Sequence, residues 1–252
     1  MADNTKQFDW IVKIKEGLEV LFADRADVFV AGDLLWYPVE GDNKTRIAPD
    51  AMVAFGRPKG YRGSYRQWEE GGIVPQAVFE VLSPGNTKKE MAKKRDDYEK
   101  YGVEEYYEYD PDRNILRGWV RSGNRFATIE NMRGWVSPLL GIRFEPGEDD
   151  LDIFRPDGRK FLSPVETERE KLRTEEEKKQ AEREKKQAEK EKKQAEREKK
   201  QAEKEKKQAE KGKKQAAIIA EKERRRADDA VARAEMLAAK LRELGISVEN
   251  AG

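Results

Sequence analysis

Asp50, Glu80 and Lys94 are the residues of this chain whose types and spacing best suit chemistry. Asp50 stands in Ala48-Pro49-Asp50, Glu80 in Val78-Phe79-Glu80-Val81-Leu82-Ser83, and Lys94 in the helical run after them. They matter because the 252 residues include no His and no Cys. That removes an imidazole base, a Ser-His-Asp triad, a thiolate nucleophile and a zinc site of nitrogen or sulfur ligands. Catalysis, if present, rests on carboxylates and lysine. Two acids and a lysine are what metal-dependent phosphodiester cleavage needs: the acids hold a hard cation and the lysine meets negative charge.

Each of these residues also has a plainer reading. Glu80 interrupts Ala77-Val78-Phe79-Glu80-Val81-Leu82, an otherwise apolar run of the kind buried on both faces of a sheet. A buried, unpaired carboxylate costs several kcal/mol, so Glu80 either binds a partner or metal, or lies on an edge strand facing water. Asp50 precedes the apolar strand Ala51-Met52-Val53-Ala54-Phe55, and Pro-Asp is also ordinary turn chemistry. Lys94 shares one helical face with Met91, Tyr98 and Tyr101, so it must reach a carboxylate or snorkel to water. Because the strand before that helix carries Glu80, a Lys94–Glu80 approach is geometrically natural. Asp33, within Val30-Ala31-Gly32-Asp33-Leu34-Leu35, is a candidate for an additional metal ligand.

The elements that would position these residues can be read from periodicity. Ile11, Ile14, Leu18 and Leu21 give an amphipathic helix from about Phe8 to Phe22. Strands are expected over Asp27–Tyr37, Ala51–Phe55 and Ala77–Leu82. Thr87-Lys88-Lys89-Glu90 has capping-box spacing and Gly102 suits a C-terminal cap, so a helix lies between them. Glu105–Tyr109 reads as a strand, and Ile115–Arg121 with Arg125–Glu130 as a hairpin around Ser122-Gly123-Asn124. The order α, β, β, β, α, β, β, β implies a small mixed sheet flanked by helices, in one domain over residues 1–162.

The rest of the chain is different in kind. All five Trp lie before residue 162, and the tail beyond it raises charged residues to 41% of the chain. Ser163-Pro164-Val165-Glu166 has the signature of a capped helix start. From Lys178 a heptad Lys-Lys-Gln-Ala-Glu-(Arg/Lys)-Glu repeats, with alanine as its one apolar residue, at 181, 188, 195, 202 and 209. Glu182–Lys186 and Glu189–Lys193 are in the favourable i,i+4 order, so residues 163–217 read as a solvated, charge-paired helix, with a weak coiled coil as the competing view. Over 218–252, Ala230, Ala234, Leu237, Leu241 and Leu244 form a short heptad seam ended by Gly245, suited to a homodimer contact. Helix from Pro164 to Leu244 would be ~120 Å long, with Gly212 its weakest point at ~1 kcal/mol against Ala.

Charge divides along the same line. Residues 1–160 hold 25 Lys and Arg against 29 Asp and Glu, net −4, and the remainder 27 against 22, net +5. The domain therefore lacks the overall basic footprint of a nucleic-acid binder, although a locally basic site remains open. The start, Met1-Ala2-Asp3-Asn4, has no basic region and no apolar run after it, and no stretch nears ~18 apolar residues. A soluble, cytoplasmic protein without a membrane span is expected.

The ordered motifs of the first ~160 residues resemble the Uma-type restriction endonuclease family, a bacterial branch of the PD-(D/E)xK nuclease superfamily. They are Ala48-Pro49-Asp50 with a strand ending in Phe55-Gly56, Tyr65-Arg66-Gln67-Trp68-Glu69-Glu70-Gly71, Glu80-Val81-Leu82-Ser83-Pro84, Lys94 four residues before Tyr98, Gly102-Val103-Glu104-Glu105-Tyr106, and Asp110-Pro111. The tail through Leu237–Leu244 to Gly245-Ile246 is also similar to family members. The resemblance implies a restriction-endonuclease-like α/β fold, a mixed β-sheet core with flanking helices. It implies Asp50 and Glu80 as ligands of Mg²⁺ (or Mn²⁺), with the Val81 backbone carbonyl a further ligand. The superfamily's usual lysine position, two residues after the second acid, is Leu82 here; Lys94 on the next helix is the matching residue. The implied activity is metal-dependent hydrolysis of phosphodiester bonds in nucleic acid, DNA in the first instance, with Lys94 orienting water or stabilising the pentavalent charge. The competing reading is a nuclease-fold interaction protein, weak or inactive in catalysis, that works through its helical tail.

Overall fold

The structure, a computed structural model, describes residues 2–245. The C-terminal segment expected over 218–252 is thus described to Gly245, and Ile246 lies outside the described residues. The chain forms two units, residues 1–173 and 174–252.

The first unit opens with α1 (Thr5–Leu21), which starts earlier than the apolar spacing indicates because Asn4 caps it, accepting the Gln7 N–H at 2.9 Å. Its stripe of Trp10, Ile11, Ile14 and Leu18 is buried. Then come β1 (Val28–Ala31), β2 (Trp36–Tyr37), β3 (Ala51–Phe55), β4 (Tyr65–Arg66) and β5 (Ala77–Val81). After these lie α2 (Lys88–Tyr101), β6 (Glu105–Asp110), β7 (Ile115–Ser122), β8 (Arg125–Thr128), β9 (Arg143–Pro146) and β10 (Leu151–Phe154). Six strands make one sheet in the order β1-β3-β5-β6-β7-β8, in which β5 and β6 are parallel and every other pair antiparallel. The parallel pair results from the connection: a helix-length crossover, α2, returns the chain in the same direction.

The period of two sorts side chains between the faces. Val28, Val30, Ala51, Val53, Phe79, Val81, Tyr107 and Tyr109 pack with α1 and the β9–β10 hairpin. Phe29, Ala31, Met52, Ala54, Val78, Tyr106 and Trp119 pack on the other face with Tyr98 of α2. β5 is buried along its whole length, as an apolar run in the centre of a sheet should be. Thr87 caps α2 through the Glu90 N–H, and Gly102 ends it in the left-handed region at φ 97°.

Two differences from the sequence reading have clear causes. The strand expected over Asp27–Tyr37 breaks at Asp33, whose φ of 49° turns the chain and whose N–H donates to the Pro49 carbonyl at 3.1 Å. Beyond the break Trp36 goes beneath α2, stacked on Tyr98 with centroids 6.3 Å apart, and β2 pairs with β4 instead of prolonging β1. The β9–β10 hairpin, unforeseen, alternates apolar inward groups such as Phe144 and Ile153 with charged outward ones over only four residues per strand. Runs that short give weak periodicity.

α3 (Pro164–Glu243) begins in the first unit and forms the described part of the second. Its start is a reciprocal cap: Glu166 accepts the Ser163 N–H at 2.7 Å and donates its own N–H to the Ser163 hydroxyl at 3.2 Å. The expected pairs form, Glu182–Lys186 and Glu189–Lys193 both at 2.6 Å, and no described residue of α3 is buried. Gly212 lies within the helix without interrupting it. Among the described residues no helix is long and apolar enough to cross a membrane.

Gly17 shows how tightly α1 is held. A Cβ there would lie 2.2 Å from the ring of Phe161, a buried residue whose neighbours leave the ring little room. Gly17→Ala should therefore lower the unfolding free energy by ~1–3 kcal/mol despite its better helix propensity, as read by urea denaturation. Unchanged stability would show that the Phe161 ring moves aside at no cost.

Candidate active site

Glu80 is the group around which the site is built. It lies second from the end of a central strand, 2% exposed, which rules out the edge-strand reading. Its side chain points to the α2 face, like Val78 two residues earlier. Asp50 has the same parity as Met52 and Ala54, and stands one residue before the Ala51↔Phe79 pair, level with Glu80. The two acids thus share one face at the end of β5.

The hydrogen bonds join them through the intervening peptide. Asp50 Oδ2 accepts the Val81 N–H at 2.7 Å. Lys94, from the face of α2 turned to the sheet, reaches Glu80 Oε2 at 2.8 Å, so it pairs and does not snorkel. The Tyr98 hydroxyl, one turn further along α2, donates to Glu80 Oε1. On the other side of the strand the Val81 carbonyl accepts from Gln7 Nε2 at 2.7 Å, and Gln7 Oε1 accepts the Asp3 N–H at 2.7 Å. Both main-chain groups of Val81 are therefore held, its N–H by Asp50 and its carbonyl by Gln7 in the first turn of α1.

Burial dominates the titration of this cluster. It pushes the Glu80 carboxyl up to about 7, against Lys94, which favours the charged form, and with Asp50, which disfavours it. Asp50 is also raised, by burial first, with the Val81 N–H and Lys94 opposing and Asp33 adding to the rise. For Lys94 burial favours loss of the proton, but the Glu80 carboxylate outweighs it and raises the pKa. Tyr98 is raised well above its ordinary value by burial and the neighbouring acid, so it stays a neutral donor.

The structure brings Asp50, Glu80, Lys94 and Val81 together. Asp33 is tied to the same corner by its bond to the Pro49 carbonyl and acts on Asp50 through charge. Among the described residues no three acidic side chains gather as a metal-holding group. The donors at hand are two carboxylates and a backbone carbonyl, all oxygen, which fits Mg²⁺ or Mn²⁺. Mg²⁺ commonly takes one or two carboxylates and keeps several waters. Sequence reasoning missed two residues. Tyr98 had a signal, four residues after Lys94 on the same face, but looked like core. Gln7 had none, since its partner is 74 residues away.

The chain as a whole was compared with known proteins. A family model described as "Uma2: Putative restriction endonuclease" matches residues 10–177. Among solved structures, the chain is similar to one titled as a "putative nuclease belonging to DUF820" from Anabaena variabilis ATCC 29413. That likeness has 13% sequence identity and a TM-score of 0.43, covering 56% of this chain and 76% of the other. Among curated proteins there is no match.

The raised Glu80 pKa makes a stability prediction with a definite sign. Between its ordinary value of 4.5 and about 7 the folded state holds a proton that the unfolded state has lost. This contribution is full below 4.5 and is lost as pH rises through about 7. With chelator present, Glu80→Gln should gain stability relative to the wild type as pH rises from 5 to 8, by up to ~3 kcal/mol. Parallel melting curves across that range would show that Glu80 titrates normally.

Proposed function

The chain belongs to the Uma2 family of restriction-endonuclease-like proteins, and from that premise we propose that it is a metal-dependent endonuclease acting on phosphodiester bonds in DNA. Asp50 and Glu80 would hold Mg²⁺ or Mn²⁺, with the Val81 carbonyl as a further ligand and Asp33 as an additional candidate. The bound ion would polarise the phosphate and lower the pKa of the attacking water. The observation that carries the reading is the 2.8 Å approach of Lys94 to the buried Glu80, beside an Asp50 that binds the very next peptide.

The residues divide the work by their protonation. Lys94, its pKa raised, is an ammonium at neutral pH. It therefore serves as a donor that orients water or meets the charge of the pentavalent phosphorus, and not as the base. Tyr98 keeps Glu80 Oε1 in place with a neutral hydroxyl, which fixes the carboxylate plane without adding charge. Gln7 does the same for the Val81 carbonyl, whose second lone pair stays available. Placing the lysine on α2 in place of the strand position Leu82 preserves its reach to the acids.

A second reading is supported by one observation. Ile218, Ile219, Val231, Met236, Leu237 and Leu244 of the tail are exposed, which suits a homodimer or partner contact. On that reading the nuclease fold is carried by an interaction helix, and function is lost on truncation at Ser163.

Plasmid and single-stranded DNA incubated with Mg²⁺ or Mn²⁺ should be cut by the wild type. Asp50→Ala, Glu80→Ala and Lys94→Ala should each cut at least about a hundredfold more slowly. Cutting that survives Lys94→Ala would remove the lysine from the mechanism. A wild type that cuts no nucleic acid and binds neither metal would favour the interaction reading.

A further inference from the structure

The polar row that contains Asp50 and Glu80 continues across the sheet. Glu80 stands in register with Glu108 on β6, and Glu108 with Arg117 on β7. Glu108 is nearly buried, and its carboxylate accepts from Arg117 Nη1 at 2.8 Å and from the Tyr106 hydroxyl at 3.2 Å. A cross-strand ion pair alone would be structural. This one lines an open groove of about 580 Å³ that runs between α2 and strands β6 and β7. The volume lies in the range of small-ligand sites.

The groove and the candidate active site share a wall. Leu82, Ser83 and Pro84, directly after Glu80 and Val81 in the chain, line the groove, and α2 presents Lys94 to one flank and Arg95 to the other. The groove is lined by four basic side chains against three acidic ones, within a domain whose first 160 residues carry net −4. Lys88 and Arg95 stand among them, and the acid nearest Arg95 is Asp96, exposed and 3.5 Å away. The Arg95 guanidinium lies 5.6 Å from the centre of the Trp119 ring.

We propose that this groove seats an unpaired nucleotide of the substrate strand, next to the phosphate that a metal ion at Asp50 and Glu80 would bind. The inference rests on the nuclease reading above. Three chemical features select a nucleotide. Lys88 and Arg95 match a phosphate, in a groove where basic side chains outnumber acidic ones within an acidic domain. The guanidinium plane of Arg95, backed by Trp119, offers a flat face on which a base stacks. Glu108, its carboxylate floored in the groove, accepts from an exocyclic amino group, as a carboxylate does from cytosine N4. A base that reaches Glu108 has left its stack and its partner, which makes the ligand single-stranded or flipped.

The test uses the full chain with Lys94→Met as parent, so that labelled oligonucleotide stays uncut in Mg²⁺. Arg95→Gln and Glu108→Gln, added singly, should each weaken single-strand binding by about tenfold in fluorescence anisotropy. In the cutting-competent background, Glu108→Gln should also relax the base preference beside the cut, read by sequencing the product ends. Arg95 is on the outer flank of α2, so its substitution leaves the fold intact if Glu108→Gln does not. Wild-type affinity and unaltered cut-site preference in both variants, with the wild type still cutting, would overturn the subsite and leave the nuclease reading standing. A wild type that neither binds nor cuts any nucleic acid would overturn both.

Discussion

The fold is organised by the need to keep one carboxylate in the middle of a sheet. Glu80 has Phe79 and Val81 beside it and buried strands on both sides, so water cannot solvate it. Left alone, such a group costs several kcal/mol. Everything that offsets the cost comes from α2: the ammonium of Lys94 and the hydroxyl of Tyr98, one turn apart on one face. This ties the helix register to the strand register. Rotating α2 by one residue would withdraw both donors and leave the acid unpaired.

That constraint explains which parts of the molecule could be read from sequence. Ala51–Phe55 was expected to the residue, because its five residues are apolar and turn chemistry bounds them. Thr87 and Gly102 were legible as the ends of α2 because caps are local. The Lys94–Glu80 contact was legible for a different reason: a lysine on an apolar face and an acid in an apolar strand are two anomalies that resolve each other. Gln7 was not legible, because an amide hydrogen bond to a distant backbone carbonyl leaves no pattern in composition or spacing. The short pair β2–β4 was hidden for a related reason, since two residues per strand carry no period, and the turn at Asp33 needed a left-handed conformation that sequence only hints at.

The tail obeys other rules. Its heptads put Glu four residues before Lys in every repeat, so each turn is supported from within the helix. The one small apolar residue per heptad gives little area to bury, and packing contributes correspondingly little. Local pairing thus supports the helix along its repeats, and Gly212 lies within it. Past the repeats larger apolar side chains return at Ile218 and Ile219, which are exposed.

Burial of an acid is not by itself a sign of function, and this chain contains its own control. Glu105 on β6 is as buried as Glu80, and burial raises its pKa as well. Its partners differ: the Tyr107 hydroxyl at 2.9 Å, the Leu139 N–H at 2.8 Å and the Ser137 hydroxyl. All three are neutral donors from the strand itself and the 137–139 turn, so Glu105 serves to pin that turn to the sheet. Glu80 instead has a cation beside it, a second acid level with it, and a groove on the next strand. Neutral donors satisfy a carboxylate permanently. A lysine and an acid that disfavours its charge leave it poised to exchange partners, which is the property a metal and phosphate site requires.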